Sequence, residues 1–101
     1  MKPPDPLAFE DFFVDKEVRR TAENLKRRGF KVEADIPDYN RPDTIRGFRP
    51  DVVGRKGWQR VIVEVETPDS LNSTRDMKQQ QAFKAAARTA KHTSYRRKIA
   101  R

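Results

Sequence analysis

Two stretches with apolar residues at helical spacing enclose three shorter stretches at strand spacing. That order predicts an α/β (α+β) sandwich, a small sheet with a helix before it and a helix after it. At 101 residues the chain is far below the roughly 250–300 at which domains divide, so one thin core has to serve every element. The domain is expected over residues 8–91. An extended lead-in at 1–7, with Pro3, Pro4 and Pro6, precedes it, and a basic tail or short final strand at 92–101 follows.

Phe9, Phe12, Phe13, Val14, Val18, Ala22 and Leu25 recur three or four residues apart, which predicts an amphipathic helix from Ala8 to Arg28. Gly29 suits the left-handed position that ends such a helix. Phe30, Val32 and Ala34 alternate with Lys31, Glu33 and Asp35, the pattern of a half-buried strand. A loop with Pro37, Pro42 and Gly47 leads to a second strand at Arg49–Val53. Gly54-Arg55-Lys56-Gly57 reads as the turn, and Trp58–Thr67 as the third strand, with Trp58 expected to cap the core. Within that strand Val61, Val63 and Val65 face one side, and Ile62, Glu64 and Glu66 the other. Pro68-Asp69-Ser70 ends it. Ser73 with Asp76 resembles a capping box opening a helix over Thr74–Lys91, whose apolar stripe is Phe83, Ala86, Ala87 and Ala90.

Composition removes several kinds of chemistry. The chain has no cysteine, which excludes disulfides, thiolate metal sites and a Cys nucleophile, and His92 is its single histidine. Its longest aliphatic run, Val61-Ile62-Val63, is far short of the ~18 residues of a membrane span, and no secretory signal opens the sequence. The expected setting is cytoplasmic, with no membrane partner. The net charge of +8 is unevenly placed. Residues 1–69 carry 14 basic and 14 acidic side chains; residues 70–101 carry nine basic ones against Asp76. Arg75, Lys78, Lys84, Arg88 and Lys91 lie on or beside the second helix, and such asymmetry fits a polyanion. A solvated helix face accounts for it equally.

The acids are more specific. Glu64 and Glu66 share one face of the third strand, and the glycine turn makes the strand after Asp51 its antiparallel neighbour. Carboxylates gathered on a partly buried face repel one another, a cost that a cation removes. With oxygen ligands alone, Mg²⁺ or Mn²⁺ suits better than zinc. A turn at residues 54–57 would pair Asp51 with Arg60, about 13 Å from Glu64, unless the strand bends at Pro50. By spacing alone, Glu64 and Glu66 read as ordinary solvent-face residues.

Arg49-Pro50-Asp51-Val52-Val53, a glycine turn, then Val61-Ile62-Val63-Glu64-Val65-Glu66-Thr67 resembles the signature of the PD-(D/E)xK nucleases. These form the restriction-endonuclease-like superfamily, which includes archaeal Holliday-junction resolvases. The resemblance runs from about Val14 to Ala90. It implies an αβββα(β) core with a small mixed sheet, closed by a strand after the second helix, and a metal-dependent DNA endonuclease. Asp51 and Glu64 would be the metal ligands and Glu17 the helix acid of the site. Glu66 stands where the family usually has Lys; one strand step from Glu64, it is expected to accept the proton of the attacking water. The alternative is a nuclease-fold module that binds nucleic acid or a protein without cleaving. Small nucleases of this type often form homodimers, on which the sequence itself is silent.

Overall fold

The computed structural model describes residues 6–71 and 73–100, with side chains from residue 12 onward. Its elements are α1 (Pro6–Arg27), β1 (Lys31–Ala34), β2 (Val52–Lys56), β3 (Gln59–Glu66), α2 (Thr74–Thr89) and β4 (Thr93–Ile99). The strands form one mixed sheet in the order β1-β2-β3-β4, antiparallel except for β3 with β4. This is an α+β fold, a small sheet flanked by two helices. Of the expected lead-in, residues 1–5 lie outside the described residues, while Pro6 and Leu7 belong to α1. Proline is accommodated in a first helical turn because no intrahelical partner exists there for the N–H it lacks.

The two helices bury opposite faces of the sheet. Val18, Ala22 and Leu25 of α1 pack with Phe30, Val52, Val61, Val63 and Val65. Ile62 meets Phe83 and Ala86 of α2 on the other face, where the Phe83 and Tyr95 ring centroids are 5.8 Å apart. Ser73 caps α2 as its sequence suggests, accepting a hydrogen bond from the Asp76 N–H at 3.1 Å. A closing strand does exist. β4 pairs along the whole of Arg60–Glu66, and the Ala100 N–H donates to the Glu66 carbonyl at 2.7 Å. No helix among the described residues is long and apolar enough to cross a membrane.

One expectation fails usefully. β2 does not end at Val53 but runs on to Lys56, and the turn holds only Gly57 and Trp58 between the paired residues Lys56 and Gln59. Gly54 is a strand residue: a Cβ there would sit 3.2 Å from Leu25 Cδ1 and 3.3 Å from Phe30 Cδ1. It is glycine because a buried leucine and phenylalanine press on the backbone. Gly57, at φ 58°, is the residue that turns the chain. Trp58 at the tip caps nothing, being 89% exposed. Gly54→Ala is expected to destabilise the chain by about 1–3 kcal/mol in urea unfolding, since Leu25 and Phe30 would both have to shift to admit the methyl group. An unchanged midpoint would show that the core gives way there.

Candidate active site

Moving the turn resolves most of the 13 Å difficulty, and the chain also bends at Asp51, just before β2. With Val52 opposite Val63, the next step back along β2 puts Asp51 across from Glu64. Pro50, fully buried, has no N–H and ends the ladder. At that end Asp51 is fixed by both backbone and side chain. Its carbonyl accepts from the Asp35 N–H at 2.9 Å, and its Oδ2 accepts from the Val65 N–H at 2.8 Å.

Glu64 and Glu66 are both buried, 4% and 9% exposed, so neither is a solvent-face residue. Together with Asp51 they line a cleft of about 310 Å³ between the end of β3 and the first turns of α2. The Ser70 hydroxyl donates to Glu66 Oε2 at 2.5 Å and so fixes the second glutamate. Glu64 Oε1 is buried with no hydrogen-bond partner. Burial is the main cause that pushes the Glu64 carboxyl up to about 9, with the charges of Asp51 and then Glu66 adding to it. Asp51 is pushed up to about 6, again first by burial, against the opposing effect of its bond from Val65.

Asp76 also lines the cleft, and Arg97 and Tyr95 of β4 stand behind it; none of the three reads as a site residue in the sequence. Asp76, 3% exposed, faces inward and forms an ion pair with Arg97 of β4, and Gln80 Nε2 donates to its Oδ2 at 3.2 Å. The register places Arg97 next to Glu64 and Tyr95 next to Ile62. The Tyr95 hydroxyl is buried without a partner, and burial, then the charge of Glu64, pushes it up to about 12. A sequence signal existed for Asp76, the one acid among residues 70–101. None existed for Arg97 or Tyr95, whose roles depend on which strand β4 joins.

The expected site residues divide. Asp51, Glu64 and Glu66 come together, with Arg75 on the same lining. Glu17 does not line the cleft; it lies 3.9 Å from Arg20 and 3.9 Å from Lys98. Val14 is the α1 residue at the cleft, and the charge of Asp15 is felt at Asp51. Lys78, Lys84, Arg88 and Lys91 are all exposed away from the lining. Arg88 is about 20 Å along the helix axis from Arg75. Among the described residues no group of three or more Asp, Glu, His or Cys is arranged to hold a metal ion. The expected closure of three carboxylates on one cation is therefore not met.

What remains is a directly opposed pair, Asp51 and Glu64, with one unpartnered buried oxygen. That donor set fits a hard cation whose other positions go to water and phosphate oxygens, as Mg²⁺ sites with one or two carboxylates do. No curated protein and no solved structure matches the chain. The family model REase_AHJR-like matches residues 10–95, which covers every element from α1 into β4, and the chain belongs to this restriction-endonuclease-like family.

Proposed function

We propose that this chain is a metal-dependent DNA endonuclease that hydrolyses phosphodiester bonds with Mg²⁺ or Mn²⁺. The observation that carries the reading is the Glu64 carboxyl: buried, opposed to Asp51, and with Oε1 unpartnered. Two buried acids that resist ionisation gain most from an arriving cation. Asp51 and Glu64 would hold the ion, which supplies charge neutralisation at the phosphate and a more acidic bound water. Glu66 accepts the proton of the attacking water, oriented by the hydroxyl of Ser70. It stands in the place where the family usually has Lys. Arg75, at the rim, takes a phosphate of the substrate strand, and Lys78, Lys84, Arg88 and Lys91 extend the basic track along and beyond α2. Phosphate contacts of this sort set position rather than sequence.

The second reading, a module that binds without cleaving, draws on Glu66 itself, because among the described residues no lysine lines the cleft. Incubation of the purified chain with plasmid, single-stranded and branched DNA in Mn²⁺ or Mg²⁺ separates the two. Cleavage that chelator abolishes is the expected result. Salt-sensitive DNA binding with every substrate left intact would establish the module instead.

A further inference from the structure

We infer that the β2–β3 hairpin tip is a base-stacking platform that takes an unpaired nucleotide of a nucleic acid, at the end of the sheet opposite the cleft. Trp58 is 89% exposed on a chain whose core is thin, and it contributes nothing to packing. Its ring lies beside His92, with centroids 6.4 Å apart and planes tilted by 35°. The two rings are held by backbone. The Arg60 N–H donates to the His92 carbonyl at 2.8 Å, and the β3–β4 ladder starts at the next pair, Arg60↔Thr93. The turn at Gly57 and the left-handed His92, at φ 59°, project both rings from fixed supports.

Charge identifies the occupant. Residues 54–60 and 89–93 contain Arg55, Lys56, Arg60 and Lys91 and no acid. Arg55 is neutralised by Glu33, and Lys56 donates to the Arg28 carbonyl at 2.8 Å. Arg60 and Lys91 have no ion pair among the described residues. A flat exposed ring at a hairpin end whose neighbouring residues carry cations and no acid matches a base with its phosphates, and every base has a π-face to offer. In a duplex the bases already stack on each other, so the ring selects an unpaired nucleotide. Trp58 is six strand steps from Glu64, about 20 Å. The inference deepens the nuclease reading, on which the choice of nucleic acid rests, by adding a single-stranded feature of the substrate.

Trp58 is the sole tryptophan, so its emission reports directly on the platform. The probes are a short dT oligonucleotide and a duplex of equal length, titrated in chelator at low salt so that nothing is cleaved. The single strand is expected to quench Trp58 emission. Trp58→Ala is expected to bind it about tenfold more weakly, Trp58→Phe to keep most of the affinity, and duplex binding to change less than about twofold. Because Trp58 is 89% exposed and outside both core clusters, these variants are expected to fold. Single-strand binding that leaves the emission unmoved, or that Trp58→Ala does not weaken, overturns the inference. So does a concentration-dependent emission shift without DNA that Trp58→Ala abolishes, which would make the occupant a second copy of this chain. Divalent-dependent duplex cleavage with unmoved emission sinks the platform alone; quenching without cleavage supports the platform and sinks the hydrolase alone.

Discussion

Asp51→Asn is expected to lower the single-turnover rate of Mn²⁺-dependent DNA cleavage by at least about a hundredfold, a loss of roughly 2.7 kcal/mol of transition-state stabilisation, without lowering Tm. The side chain has two tasks that this substitution separates. One is structural: Oδ2 accepts the Val65 N–H at the end of the ladder, and an amide oxygen does that equally well. The other is electrostatic: a carboxylate directly across from Glu64 contributes charge to a cation, which an amide does not. Stability should hold or rise, because the buried group that is hard to ionise has gone. Were Asp51 only a strand-end cap, the variant would cleave at the native rate. Cleavage within about threefold of native would therefore dismiss Asp51 as a metal ligand, whatever else the cleft binds.

Periodicity carried the sequence reading wherever one face of an element is buried by its own stripe. The Val18, Ala22, Leu25 row and the Val61, Val63, Val65 row each share one face as expected, since spacing alone decides that, and the structure packs the two rows against each other. The hairpin shows where such reasoning stops. Gly54 and Gly57 look alike in sequence, yet one is glycine for close packing against Leu25 and Phe30 and the other for a positive φ. Taking both as turn residues moved the pairing enough to separate Asp51 from Glu64. The true register, with the chain bending at Asp51, brings them together at the end of β2. Asp76 read as a helix cap because its neighbour Ser73 supplied the local pattern. Its side chain in fact faces Arg97, 21 residues later, and no local pattern encodes that pairing. Trp58 went astray for a related reason: a large aromatic beside a turn is usually packed, and only the fold shows that nothing lies over this one.

The metal-free chain is expected to lose stability as pH rises from about 4 toward 9, and Glu64→Gln to remove much of that loss. In the unfolded chain both acids titrate near their ordinary values, about 4. In the fold Asp51 is raised to about 6 and Glu64 to about 9. Below pH 4 both are protonated in either state and contribute nothing. Above it the unfolded chain releases protons that the folded chain retains, so each unit of pH favours unfolding. Asp51's share of that loss is complete above about pH 6 and Glu64's above about pH 9. Holding a neutral amide at residue 64 should therefore raise Tm in chelator at pH 8 by at least 4–8 °C, the shift that about 1 kcal/mol produces in a domain of this size. Mn²⁺ acts on the same acids from the other side. At a hundredfold excess over its dissociation constant it should stabilise the native chain by about 2.7 kcal/mol, and Glu64→Gln should abolish most of that gain. The net charge of +8 pulls in the opposite direction, since self-repulsion grows as pH falls. It is nearly the same in both proteins, so the difference between their melting curves isolates residue 64. If the two curves run parallel from pH 5 to 9, and Mn²⁺ shifts both alike, then the Glu64 carboxyl is solvated in the folded chain and the cleft has no cation to offer DNA.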